Sequence, residues 1–192
     1  MVERLKQLQD YEIIIVCDDS GSMKTPVDGN QKTRWDELRS IVKTILEISV
    51  IFDTNGVDIY FLNREAITSV KDPAVIDKVF RKLPCGYTPL VPVLKDIFRS
   101  KLAEPRRDKK LLVFVATDGL PTDENGEETI PELENVLNEV RNSETTYIEF
   151  LLCTDEPRCV DCFAYWDRAM ENVDVTDDFH TERQTIWKCQ GR

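Results

Sequence analysis

Continuous apolar runs alternate with helical stripes along this sequence, and this alternation restricts the fold more than any other feature. Ile13 to Cys17 and Leu111 to Ala116 are apolar throughout, which is typical of strands buried on both faces of a sheet. Between such runs, apolar residues recur at helical spacing. The clearest helical series consists of Trp35, Leu38, Ile41, Val42, Ile45 and Leu46. The order of elements therefore predicts an α/β fold with a mostly parallel sheet.

The predicted architecture has three layers, with a mostly parallel central sheet and helices on both faces, in a Rossmann-like arrangement. The chain has 192 residues, the length of one ordinary domain. We expect a single domain over residues 1–192, with a core from about 11 to 188. The other predicted strands are Val57 to Leu62, Ala66 to Val70, Tyr147 to Cys153 and Val173 to Thr176, and the last predicted helix covers Asp178 to Lys188.

The net charge argues against nucleic acid as a partner, and the hydropathy pattern argues against a membrane. Because the net charge of the chain is −11, its average surface repels phosphate backbones, and we expect no nucleic-acid binding. The basic cluster from Arg106 to Lys110 is interpreted as a solvated loop. The first residues, MVERLKQLQDYE, lack the apolar centre of a signal peptide, and no apolar run approaches a membrane span. A cytoplasmic location without membrane contact is therefore expected, and the oligomeric state is left open.

The six cysteines allow two interpretations. Cys17 and Cys153 lie in apolar runs, where a reduced thiol behaves as a small apolar side chain. Cys159 and Cys162 have the spacing of metal ligands. A zinc site would need four ligands, and the only further soft ligands nearby in sequence are His180 and Cys189. The alternative is a loop with two free thiols.

Polar side chains collect where the two apolar strands end. Asp18, Ser20 and Ser22 follow the first strand, and Asp118 follows the strand from Leu111 to Ala116. Ligands of open α/β sheets bind beyond the carboxyl ends of the strands. Thr88 stands in the loop that opens a predicted helix. Two carboxylates and three hydroxyls form an all-oxygen set, which hard cations prefer, and hydroxyl ligands suit Mg²⁺ best, with Mn²⁺ or Ca²⁺ as alternatives.

The five residues also stand in a familiar order. Asp18-x-Ser20-x-Ser22, then Thr88 in GYTPL, then Asp118 in ATDGLPTD together resemble the von Willebrand factor type A domain with its metal-ion-dependent adhesion site. The resemblance covers nearly the whole chain. It implies a divalent ion at the top edge of a central sheet, capture of a Glu or Asp carboxylate from a partner protein, and no catalysis. Together with the cysteine usage, it favours an intracellular assembly or scaffold role.

Two other functions remain open from the sequence. A Mg²⁺-dependent phosphatase or phosphotransferase would also place an aspartate after its first strand, although Ser20 stands where a second aspartate would serve as acid and base. A structural domain with an unused metal site is the other alternative. At the level of single residues, Ser20 and Ser22 are also natural turn residues, and Thr88 is a natural helix cap.

The positions of two further aspartates in the sequence also allow predictions. Asp19 is predicted to be solvated, because strand alternation directs it away from Asp18. Asp123 lies in a polar loop and is either a surface residue or part of the rim of the site.

Overall fold

A computed structural model describes residues 6–27, 32–52, 55–102 and 109–176 of the chain. Within these ranges one mixed sheet of six strands has the order β3-β2-β1-β4-β5-β6. The strands are β1 Tyr11–Cys17, β2 Val57–Phe61, β3 Ile67–Val70, β4 Lys110–Thr117, β5 Thr146–Leu152 and β6 Val173–Thr176. Four neighbouring pairs are parallel, and β2 with β3 is antiparallel. The predicted terminal helix over 178–188 lies outside the described residues.

Five α-helices accompany these strands in the described ranges: α1 Arg34–Phe52, α2 Ala74–Val79, α3 Leu90–Leu102, α4 Ile130–Asn135 and α5 Pro157–Ala169. A π-helical turn, Val136–Val140, extends α4. Thr129 directly precedes α4 in sequence, but its buried hydroxyl has no hydrogen-bond partner and so does not cap the helix. Helix α5 begins at Pro157, a residue suited to the first helical turn, so Cys159 and Cys162 lie in a helix and not in the expected loop.

The two faces of the sheet bury separate apolar cores. Along β1, Ile14 and Val16 join the core that contains α3 and α5, whereas Ile13, Ile15 and Cys17 join the core that contains α1. Alternate side chains of a strand point to opposite faces, so a strand covered by helices on both sides must be apolar throughout. The predicted α/β class is confirmed. The sheet is mixed because its border strand β3 runs antiparallel to β2.

The first turn of α1 is fixed by a reciprocal cap. The backbone N–H of Thr33 donates to Asp36 Oδ2 at 3.0 Å, and the Thr33 hydroxyl donates to the same oxygen at 2.8 Å. The N–H of Asp36 in turn donates to Thr33 Oγ1 at 3.3 Å. This arrangement follows the Thr-x-x-acid spacing and satisfies N–H groups that a helix leaves without partners. Arg34, the first residue of α1, is therefore held at a defined position.

Strand β3 closes one side of the sheet and is short and irregular. Its register with β2 shifts between Val57 and Ile59. Ser69 has a φ of 54°, a left-handed conformation that is unusual for a residue with a side chain. The N–H of Ser69 donates to Asp58 Oδ1 at 2.8 Å, which ties this residue to the neighbouring strand.

Candidate functional site

The candidate site lies where the strand order of the sheet reverses. Strands β1 and β4 are parallel neighbours, with Cys17 opposite Ala116, and the chain continues from them to opposite sides of the sheet. The N–H of Asp18 donates to the carbonyl oxygen of Ala116 at 2.9 Å. Asp18 and Asp118, the residues that follow the two strands, are therefore brought to the same edge, at the topological switch point where open α/β sheets bind ligands.

Asp18 is fully buried, and both of its carboxylate oxygens are hydrogen-bonded. The backbone N–H of Ser20 donates to Oδ1 at 2.8 Å, and the Thr117 hydroxyl donates to Oδ2 at 2.6 Å. Burial first, and then the nearby Asp118, raise the pKa of Asp18 to about 6, against the lowering effect of the hydrogen bonds from Thr117 and Ser20. The neutral hydrogen-bond donors therefore do not fully compensate the negative charge of Asp18.

A chain of side-chain hydrogen bonds joins the two serines to Asp118. The hydroxyl oxygens of Ser20 and Ser22 are 3.0 Å apart, and the Ser22 hydroxyl donates to Asp118 Oδ1 at 2.7 Å. Ser20 and Asp118 are buried, whereas Ser22 is exposed. The short 3₁₀ turn Gly21–Lys24 begins directly after Ser20 and carries Ser22 back toward the end of β4. Local backbone geometry therefore converts residues distant in sequence into one cluster.

The loop that carries Thr88 is fastened to the loop after β1. The N–H of Gly21 donates to the carbonyl oxygen of Gly86 at 3.0 Å, and the N–H of Cys85 donates to the carbonyl oxygen of Asp19 at 2.7 Å. Thr88 is 7% exposed, and a Cβ atom placed on Gly119 would lie 3.9 Å from its Oγ1 atom. The Thr88 hydroxyl thus lies beside the residue that follows Asp118, and all five predicted site residues share one edge.

Gly86 allows this loop to come close. Its φ is 101°, and a Cβ atom there would be 2.4 Å from Asn63 Oδ1. Glycine adopts this conformation without the steric cost of a side chain. The Asn63 amide then donates to the carbonyl oxygen of Tyr87 at 2.8 Å, next to Thr88.

Asp19 differs from its prediction. It is 1% exposed instead of solvated. Arg64 Nε donates to Asp19 Oδ2 at 2.6 Å, and the N–H of Asn63 donates to Oδ1 at 2.7 Å. The Arg64 guanidinium also lies over the rings of Trp35 and Phe61, at 5.3 and 5.1 Å from their centroids. Strand alternation correctly directs Asp19 away from Asp18, but the β2–β3 loop fills that space.

Arg34 is the residue of this site that the sequence did not reveal. Its Nη1 donates to Asp118 Oδ2 at 2.9 Å, and its Nη2 donates to Thr154 Oγ1 at 3.3 Å. The Asp118 side chain is 0% exposed, so the guanidinium supplies a positive charge to a carboxylate that has no contact with water. The only sequence signal is a basic residue directly after the Thr33 cap, where the helix dipole disfavours a cation.

The side chains at this edge fit a hard cation because they all offer oxygen atoms, although only two of them are acidic. The residues that the structure describes contain no group of three or more His, Cys, Asp and Glu placed to hold a metal ion. This edge offers Asp18 and Asp118 together with the hydroxyls of Ser20, Ser22 and Thr88, all of them oxygen donors. Arg34 already occupies one Asp118 oxygen with a cationic group, which shows that the cluster accommodates positive charge.

The other candidates have different surroundings. Asp123 accepts from the N–H groups of Asn125 and Glu127 and so organises its own loop. Burial raises the pKa of the Cys159 thiol to about 12, and it also raises the pKa of Cys162. Both groups are therefore neutral thiols in this fold. His180 and Cys189, the other members of the predicted zinc set, lie outside the described residues.

Comparisons with known proteins show the fold alone. No protein-family model matches the chain, and no curated protein matches it. The pilus adhesin SpaC from Lactobacillus rhamnosus GG is similar in structure, with a TM-score of 0.63 and 15% identity over 88% of this chain and 28% of the adhesin. Proximal thread matrix protein 1 from the mussel byssus has a TM-score of 0.56 and 18% identity, over 94% of this chain and 46% of that protein.

These findings correct the family resemblance inferred from the sequence. The similar structures are described as a pilus adhesin and a thread matrix protein, and neither they nor any family model identifies a von Willebrand factor type A domain. The physical reason for the error is that a five-residue pattern reports the chemistry of a sheet edge, where polar side chains must collect, and not descent. The chain spans less than half the length of these neighbours. No helix in the described ranges is long and apolar enough to cross a membrane.

Proposed function

We propose that this chain is a binding module whose sheet edge holds a divalent cation, Mg²⁺ in the first place, and captures an acidic residue of a partner protein. The observation that carries the proposal is the hydrogen-bonded series from Ser20 through Ser22 to Asp118, beside the buried Asp18. Such a cluster concentrates oxygen donors and negative charge at a switch point. The finer architecture that accompanies this role is a doubly wound, Rossmann-like sheet.

Each residue has a distinct part in the proposed site. Asp18 and Asp118 supply negative charge, and Ser20, Ser22 and Thr88 supply neutral oxygen ligands. A bound ion would supply positive charge that attracts the carboxylate of a partner's Glu or Asp. Ser22 is the exposed member of the set, so we expect such a carboxylate to approach the site past Ser22. The backbone fastening of Gly21 to Gly86 keeps the donors in place before any ligand arrives.

Binding is proposed in preference to catalysis because of how Asp18 is held. A nucleophilic or acid–base carboxylate needs an oxygen that can reach the reacting group. Both oxygens of Asp18 accept hydrogen bonds, from Ser20 and from the fully buried Thr117. Generic aryl phosphate hydrolysis tests the enzymatic alternative directly. Turnover that requires Mg²⁺ and disappears in Asp18→Ala would replace the binding proposal with an enzymatic one.

The metal step is tested by calorimetric titration with Mn²⁺ and Mg²⁺. We expect saturable binding to the wild-type chain and at least a tenfold loss in Asp118→Asn, because this change removes one of two negative charges at the edge. Asp96→Asn, which neutralises an exposed aspartate on α3, is the matched control and should bind like the wild type. Absence of binding to the wild type at millimolar ion would leave the structural-domain alternative.

The carboxylate step needs a separate experiment. An immobilised peptide library in which each Glu or Asp peptide has a Gln or Asn counterpart provides the probe. We expect retention of acidic members in Mg²⁺ and their release by chelator. Equal retention of acidic and amide members would contradict carboxylate capture even if the metal titration succeeds.

The name of the adhesin neighbour agrees with a binding role for this chain. The expected cytoplasmic location stays a prediction.

A further inference from the structure

Arg34 occupies an oxygen that the proposed ion would use. Its Nη1 lies 2.9 Å from Asp118 Oδ2, while the Ser22 hydroxyl takes Oδ1 at 2.7 Å. Both oxygens of Asp118 are therefore engaged by protein groups. A divalent ion that binds Asp118 directly has to replace one of them, and a guanidinium is the one that competes through charge as well as geometry.

The charges at this edge explain why such a cation is present. Asp18 and Asp118 are both buried at this edge. Two neighbouring buried carboxylates require positive charge, since separating them from water is costly. Arg34 supplies one positive charge where two negative charges lie. A divalent ion would supply both, but it would also be repelled by a guanidinium that remained in contact with Asp118.

The contacts of Arg34 allow its side chain to move. Its backbone is fixed by the cap of α1, but its side chain is 19% exposed and its second hydrogen bond, to Thr154, is long at 3.3 Å. Arg64 provides the contrast. Its side chain is 10% exposed and lies over Trp35 and Phe61 while it bonds Asp19. Thus one arginine can turn toward solvent, whereas the other is enclosed by aromatic rings.

We propose that Arg34 is an internal cation of the site, which neutralises Asp118 in the metal-free protein and leaves it when a divalent ion binds. The inference rests on the proposed function and adds a residue that sets the ion concentration at which the site becomes occupied. Arg34 lowers the affinity for the ion, because part of the binding free energy is used to break its ion pair. In the metal-free fold, Arg34 compensates the negative charge of the buried Asp118 carboxylate.

Calorimetric titration with Mn²⁺ tests this inference on Arg34→Gln and Arg34→Met. We expect both variants to bind the ion at least fivefold more tightly than the wild type. Lys43→Gln is the matched control, because it removes one positive charge from the same helix, where Lys43 pairs with Asp77 at a partly exposed surface site. This control should bind like the wild type, which separates the local ion pair from the change in net charge.

A second measurement uses the unaltered protein and so does not depend on the stability of a variant. The side-chain Nε–H signals of Arg34 and Arg64 can be followed by NMR during addition of Mg²⁺. We expect the Arg34 signal to shift with the saturation of the site and the Arg64 signal to stay. An Arg34 signal that does not respond while the ion binds would overturn the inference.

The outcomes separate this inference from the proposed function. Equal or weaker binding of Mn²⁺ by the Arg34 variants, with normal binding by the wild type, would overturn the role of Arg34 and leave the metal site in place. If neither wild type nor variants bind Mn²⁺, both proposals are wrong. Tighter binding by Lys43→Gln as well would assign the effect to overall charge and would also overturn the inference.

Discussion

Two aspartates at the same sheet edge are each paired with an arginine, but their surroundings give the two pairs different properties. Asp19 receives Arg64 together with the backbone N–H of Asn63, and Arg64 packs over two aromatic rings. Asp118 receives Arg34 and the hydroxyl of the exposed Ser22. The first set of donors is fixed by packing, whereas the second can rearrange. A buried ion pair can therefore serve either as a fastening or as an exchangeable contact, depending on what holds the cation.

The largest expected effect comes from breaking the fixed pair. Asp19→Ala should lower the free energy of unfolding by about 3–5 kcal/mol, because it leaves the enclosed Arg64 without its counter-ion and the Asn63 N–H without its acceptor. Urea denaturation in chelator measures the change. Asp118→Ala, assayed in parallel, should cost at least about 1 kcal/mol less, because Arg34 can reach water. Equal losses in the two variants would contradict the distinction between the pairs.

The pH dependence of stability should report the charge on Asp18, which lies beside the exchangeable pair. The pKa of Asp18 is raised to about 6 in the folded chain from its ordinary value of 3.8, so the folded state binds this proton more firmly than the unfolded state. Stability should therefore fall as pH rises from about 4 to about 6, and the cost, about 2–3 kcal/mol, is fully present above that range.

Asp18→Asn measured in chelator isolates this effect. Its advantage in unfolding free energy over the wild type should grow from near zero at acid pH to its full value near neutrality. Asp96→Asn, on the exposed face of α3, should show no such trend. A difference between Asp18→Asn and the wild type that is independent of pH would indicate that Asp18 is compensated within the metal-free fold.

The smallest effect should come from the cap that positions Arg34. Thr33→Ala removes the hydroxyl that bonds Asp36 and should cost about 1 kcal/mol of unfolding free energy. The lowered pKa of Asp36, caused first by the Thr33 N–H and then by its hydroxyl, should move up toward its ordinary value. NMR titration of the Asp36 carboxyl measures this shift. The Arg64 signal should stay unchanged, since its pair does not depend on the start of α1.

The sequence predicted the sheet and the approximate site because both follow from local patterns. The apolar runs marked β1 and β4 within two residues, and the polar residues after them meet at one edge, as parallel pairing requires. Arg34 could not be found in this way, because its ion pair joins positions 84 residues apart and runs against the helix dipole. Asp19 was misjudged because its neighbours come from the β2–β3 loop, whose placement no local pattern gives.

The construction of β3 has a consequence for association between copies of the chain. An open sheet invites growth by addition of a further strand, and long, straight border strands are the usual templates. Here the border consists of four residues, Ile67–Val70, with a register shift toward β2 and a left-handed backbone at Ser69. A further strand would find little regular hydrogen-bond ladder to extend, so we expect this border of the sheet to resist strand addition from other copies of the chain.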